Sequence, residues 1–122
     1  MANLPTKDGE MTEQERRRSE ARAKILKALA HPSRIYIVEK LYQRPHCVRE
    51  LTQLIGADTS TVSKHLSVLK NAGLLQDEKR RQTVLYSLTA PCIINFIGCI
   101  ENVIKESFER EYSYIYEESE EL

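Results

Sequence analysis

Ala57-Asp58-Thr59-Ser60-Thr61-Val62-Ser63-Lys64-His65-Leu66-Ser67-Val68-Leu69-Lys70-Asn71-Ala72-Gly73-Leu74-Leu75 separates into two faces when wound as a helix. Val62, Leu66 and Leu69 recur at three- and four-residue spacing and share one side, the side that packs. Ser60, Lys64, Ser67 and Asn71 gather opposite them, with Thr61 and Ser63 on the flanks. Asp58 is a good N-cap, and Gly73 stands where a helix ends in a left-handed residue. A front of small hydroxyls, one ammonium and one imidazole lets a helix lie close in a DNA groove and reach phosphates and base edges. The same composition also describes an ordinary solvated face, so the segments around it decide.

Downstream, Gln76-Asp77-Glu78-Lys79-Arg80-Arg81-Gln82 reads as a short strand and a polar turn. Thr83-Val84-Leu85-Tyr86-Ser87-Leu88 then alternates, with Val84, Tyr86 and Leu88 on one side, and predicts a second strand. A hairpin tipped with Lys79, Arg80 and Arg81 directly after such a helix is the arrangement of a winged helix-turn-helix. The wing lays its cations along the phosphate backbone. The candidate contacts to double-stranded DNA are therefore Ser60, Thr61, Ser63, Lys64, His65 and Ser67 on the helix, with Lys79, Arg80 and Arg81 on the wing.

Upstream, Val48 to Ile55 predicts a short helix packed on Leu51, Leu54 and Ile55 and ended by Gly56. Two short helices joined by Gly56-Ala57-Asp58 make the helix-turn-helix signature. Before them, Pro32 opens a helix whose core face is Ile35, Val38, Leu41 and Tyr42, broken at Gln43-Arg44-Pro45-His46. Thr12-Glu13-Gln14-Glu15 is a capping box that starts a helix at Glu13. Its first half is nearly all charge, and its apolar residues, Ile25, Leu26 and Leu29, come in the second. The fold class is mainly α with a small β-hairpin.

At the other end, Ala90-Pro91 opens a last helix. Ile93, Ile97, Ile100, Ile104 and Phe108 repeat at three and four, with Ile94, Phe96 and Val103 widening the stripe as far as Tyr112 and Ile115. So wide an apolar face, beyond a core already supplied, calls for a second copy of the chain. Ile93, Ile97, Ile100 and Ile104 are the candidate homodimer interface, with the first helix beside them.

A chain of 122 residues predicts one folded domain, 12–116, between a flexible N-terminus, 1–11, and an acidic tail, 117–122. Formal net charge is zero, but its distribution is uneven. Arg16 to Arg81 carries fifteen Lys and Arg against six Asp and Glu, whereas Glu101 to Leu122 carries eight Glu against two cations. A basic body with an acidic end fits a DNA-facing side opposed to a solvated or dimer-facing one. No apolar run approaches a membrane span and no apolar signal core opens the chain, so a cytoplasmic protein with Cys47, Cys92 and Cys99 reduced is expected. Phosphate loops, nucleophile elbows and paired catalytic acids are missing from the sequence, which argues against an enzyme. An interaction module using Tyr112, Tyr114 and Tyr116 is the competing non-enzymatic reading.

The chain resembles the ArsR/SmtB family of metal- and thiol-responsive repressors. The resemblance rests on Ala28-Leu29-Ala30-His31-Pro32-Ser33-Arg34, on Val48-Arg49-Glu50-Leu51, on Ser60 to Leu74 and on Tyr86-Ser87-Leu88. It implies a winged-helix homodimer that binds an operator palindrome near its own promoter, needs no cofactor to do so, and is released by an inducer bound elsewhere. The wing lacks the tip glycine that many relatives carry, which leaves its turn type open.

The resemblance does not specify the inducer. One family site is a Glu-Leu-Cys-Val-Cys-Asp-Leu pattern; here Pro45-His46-Cys47-Val48-Arg49-Glu50-Leu51 keeps the first cysteine and replaces the second by the cation Arg49. Another pairs Asp-x-His with a later His-x-x-His or His-x-x-Glu on the last helix, and those positions fall on Ala90, Cys92, Val103 and Glu106. Cys92 and Cys99, seven apart, would project from one side of a continuous helix with sulfurs about 10 Å apart along its axis. That is too far for one pair to chelate a single ion, so a site there needs a third ligand or a second chain. Soft thiolates without His or carboxylate partners favour trivalent arsenic or antimony, or a soft metal ion, as inducer, with Cys92 and Cys99 as ligands and Cys47 a third. A cysteine redox or persulfide switch is the alternative, and simple packing of the thiols a third. His31 and His46 read as cap and loop residues.

Overall fold

The computed structural model describes residues 9–107. The elements are α1 (Glu13–Leu29), α2 (Pro32–Gln43), β1 (His46–Cys47), α3 (Val48–Ile55), α4 (Thr59–Asn71), β2 (Leu75–Arg80), β3 (Thr83–Leu88) and α5 (Ile93–Ser107). They fall into two compact units that divide between Thr89 and Ala90.

Local chemistry explains the boundaries in the first unit. Thr12 caps α1 with its hydroxyl on the Glu15 N–H, and the Glu15 carboxylate accepts from the Thr12 N–H at 2.8 Å, the predicted reciprocal box. His31 caps α2 through Nδ1, which accepts from the Ser33 N–H at 3.0 Å, with Pro32 at the first helical position. Gly56 ends α3 at φ +80, and Gly73 leaves α4 at φ +86; a side chain in either conformation would be strained.

The core is assembled from one face of each of the three middle helices. Ile37, Val38, Leu51, Val62, Leu66 and Leu69 are wholly buried, and Leu41, Leu74, Leu75, Ala28 and Leu29 close around them. The α4 stripe is as its spacing predicts. On α2 the core turns toward Ile37, while Ile35 is half-buried and Tyr42 is 53% exposed. On α3 only Leu51 is buried, and Leu54 faces outward. A two-turn helix has room for one deep contact, so its remaining apolar residues lie at the rim.

The sheet has three strands in the order β1-β3-β2, all antiparallel. The wing hairpin pairs Leu75 with Leu88 through to Arg80 with Thr83. Its tip is a two-residue turn in which Arg81 alone takes positive φ, +59, the pattern of a type II′ turn with a cation where glycine is usual. The third strand, β1, joins His46 to Tyr86 and Cys47 to Leu85. His46, expected in a loop, is thereby buried, with its Nδ1–H donating to the Arg44 carbonyl at 2.8 Å.

In the second unit, Ala90 to Asn95 begins with three short-range hydrogen bonds, Ile93 N–H to Ala90, Ile94 to Pro91 and Asn95 to Cys92. Regular helix starts only at Ile93, so Cys92 stands in the turn ahead of α5 and not on the helix with Cys99. Pro91 lacks an N–H, and the first turn tightens around it. None of the α5 residues is fully buried. Ile93, Ile97 and Ile104 are half-buried, whereas Phe96, Ile100 and Val103 are 40%, 41% and 58% exposed. The expected continuation through Phe108, Tyr112 and Ile115, the N-terminal segment before Gly9 and the tail at 117–122 lie outside the described residues. Among those residues no helix is long and apolar enough to cross a membrane.

Candidate nucleic-acid interface

Asp58 sets the start of α4. Its carboxylate accepts from the Thr61 N–H at 2.8 Å, and the Ser60 hydroxyl approaches it at 3.4 Å. The Thr61 hydrogen bonds hold this carboxyl below its ordinary pKa, with nearby Lys64 a smaller contributor. The cap leaves Ser60, Thr61, Lys64 and Ser67 exposed on one side, while Val62 and Leu66 are sealed on the other. Ser63 is half-buried at the edge. Sequence periodicity thus places five of the six helix candidates on an accessible front or its margin.

His65 departs from that set. Its ring is half-buried and turned to the start of α2, where Arg34 Nη1 donates to Nδ1 at 3.1 Å and the His31 ring lies 4.3 Å away, centroid to centroid. Burial, then the charge environment of His31 and Arg34, lowers its pKa. The helical wheel puts His65 beside the front but cannot show that a partner 31 residues away claims its ring.

Among the described residues, one ion pair joins the wing to the helix. Lys70 Nζ, in the last turn of α4, lies 2.9 Å from Asp77 of β2, and this bond raises the lysine pKa. Exposed Lys79, Arg80 and Arg81 follow at the tip. Arg80 is held by Glu78 at 3.2 Å, so a phosphate would have to compete for it. Pairs this exposed contribute little to stability.

The cysteines are spread over both units. Cys47 is half-buried at the start of α3, with its N–H donating to Glu50 at 3.0 Å. That bond and the Arg44 guanidinium lower the Glu50 pKa. Cys92 and Cys99 are exposed free thiols. Among the described residues of one chain, no three His, Cys, Asp or Glu side chains come together as a metal site.

Residues 31–77, the span from the α2 cap to β2, match the family described as bacterial regulatory proteins of the arsR family. The chain is 34% identical over 84 residues to the uncharacterized HTH-type transcriptional regulator Rv0081 of Mycobacterium tuberculosis, covering 68% of this chain and 74% of that protein. The HTH-type transcriptional regulator YgaV of Escherichia coli is 33% identical, over 70% of this chain and 87% of its own length. In three dimensions the crystal structure of NolR from Sinorhizobium fredii superposes with TM-score 0.72 at 26% identity, covering 77% of this chain and 94% of that one. Rv0081 and YgaV are regulators of transcription and not enzymes, and the family match spans the α2 cap, the helix-turn-helix and the start of β2. The chain belongs to the ArsR family of winged helix-turn-helix transcriptional regulators.

Proposed function

We propose that this regulator is a repressor that binds a palindromic operator as a homodimer, with α4 in the major groove and the wing on flanking phosphates. The observation that carries the reading is the exposed row Ser60, Thr61 and Lys64 on a helix whose back is wholly buried, beside the Lys79–Arg81 tip. Small exposed hydroxyls permit close approach, and the ammonium can reach a base or a phosphate. Fluorescence anisotropy on operator fragments tests it across a salt series. Lys64→Ala is expected to cost about 1–3 kcal/mol if the ammonium reads a base. Losing Arg80 and Arg81 together should flatten the logarithmic salt slope by roughly two units, with Arg81 carrying the larger share because Glu78 competes for Arg80. Unchanged affinity in both variants would remove α4 and the wing from the interface.

The inducer, in this reading, is a thiol-binding species, most simply trivalent arsenic or antimony or a soft metal ion, taken by Cys92 and Cys99. Both thiols of the second unit are exposed, and soft ligands suit such ions. A ligand set completed across the dimer would change the spacing of the two recognition helices, and DNA accepts half-sites only near one turn apart, about 34–36 Å. The ligand needs to favour the non-binding arrangement by only a few kcal/mol. Exposed thiols equally suit a redox or persulfide switch. Cys92→Ser, Cys99→Ser and the double variant, assayed for operator release by arsenite, cadmium and peroxide, separate the readings. Release lost for arsenite or cadmium supports the ligand site. Loss for peroxide alone supports the switch, and normal release by all three makes the thiols bystanders.

A further inference from the structure

The three-helix corner that claims His65 has chemistry of its own. Arg34 spans it: Nε donates to the Ala28 carbonyl in the last turn of α1 at 2.6 Å, and Nη1 donates to His65 Nδ1 on α4 at 3.1 Å. A guanidinium only donates, so His65 Nδ1 must be unprotonated and its proton must sit on Nε2. The same constraint holds next door, because His31 Nδ1 accepts from the Ser33 N–H at 3.0 Å to cap α2. Two imidazoles 4.3 Å apart, both spending Nδ1 as acceptor, share this corner with a permanent cation.

We propose that His31, Arg34 and His65 form a positioning device that holds the recognition helix to the start of α2 only while the His65 imidazole is neutral, so that mild acid loosens operator binding. The inference rests on the DNA-binding reading above for its second half only. A proton on His65 Nδ1 turns the acceptor into a donor facing a donor, and sets a second cation against Arg34. The charges that act on the His65 ring are those of His31 and Arg34, and both disfavour a proton on it. Asp77 of β2 is engaged by Lys70, and Glu50 of α3 by Arg44.

The direction follows from linkage. Burial, His31 and Arg34 lower the His65 pKa in the folded arrangement, so the released ring binds the proton more readily. The contact is at full strength above the ordinary histidine value of about 6.5 and is lost as pH falls from there through the lowered folded value. A single linked proton changes an equilibrium at most about tenfold per pH unit.

Two measurements test this. In the free protein, the histidine ring Cε1–H signals followed by NMR should show His65 titrating below the ordinary value, and His31→Asn, which keeps a capping oxygen without the titratable ring, should raise its midpoint. In operator titrations, each protein is normalised to its own affinity at pH 7.5. Wild type should then weaken about three- to tenfold more by pH 5.5 than His65→Asn, whose amide oxygen can accept from Arg34 but takes no proton. A His65 midpoint at or above the ordinary value, or superimposable normalised pH profiles, overturns the device. If wild type binds no operator at pH 7.5, the DNA-binding reading fails instead, and the ring titration still decides whether the corner holds.

Discussion

Ile100→Glu is expected to turn a dimer into a monomer and to abolish tight operator binding with it. Phe96, Ile100 and Val103 stand exposed on α5, one and two turns apart, in a helix with no fully buried residue. Large apolar side chains gathered in this way mark an association surface. If a second chain covers them, a carboxylate at the centre is buried without a partner, which costs several kcal/mol for each of two symmetric sites. A monomer presents one recognition helix and forfeits the second half-site. Sedimentation velocity and operator anisotropy on the same preparation check both halves of the expectation. A variant that remains dimeric would place the interface away from Ile100. The sequence pointed to Ile93, Ile97, Ile100 and Ile104, and the exposed row overlaps that stripe at Ile100 while leaning toward Phe96 and Val103.

Leu66→Ala should be the most damaging conservative change in the first unit, at about 2–5 kcal/mol. Leu66 is wholly buried, between Val62 and Leu69 on the back of α4. Removing its three outer carbons leaves a cavity where α2, α3 and α4 meet, and such a loss is a large share of the roughly 5–15 kcal/mol that holds a small domain together. Denaturant unfolding should show a lower midpoint with an unchanged slope. An exposed comparison on the same helix, Ser67→Ala, should move the midpoint by no more than about 0.5 kcal/mol. Equal midpoints for the two variants would mean that the back of α4 does not support the core.

The parts of this protein that the sequence determined alone are those whose partners lie within a helical turn or along one hairpin. The Thr12–Glu15 box, the Asp58 cap, the glycine stops at Gly56 and Gly73, the buried stripe Val62–Leu66–Leu69 and the β2–β3 wing all repeat at fixed short spacings, so periodicity and capping chemistry specify them. The family resemblance was legible for the same reason, since its motif residues sit on these local elements. Tertiary structure decided the rest. Two residues are too few to show alternation, so the pairing of His46 and Cys47 with β3 depends on where β3 lies in space. Ile37 displaces Ile35 and Tyr42 from the core because the neighbouring helices choose which edge of the α2 stripe they cover. His65 is drawn from the exposed front of α4 by Arg34 and His31, residues remote in sequence that only the packing of α2 on α4 brings to its ring. The tightened turn at Pro91 moves Cys92 off the helix that carries Cys99. In each of these the deciding energy is a contact between elements, and a contact of that kind leaves no period in the chain to be read.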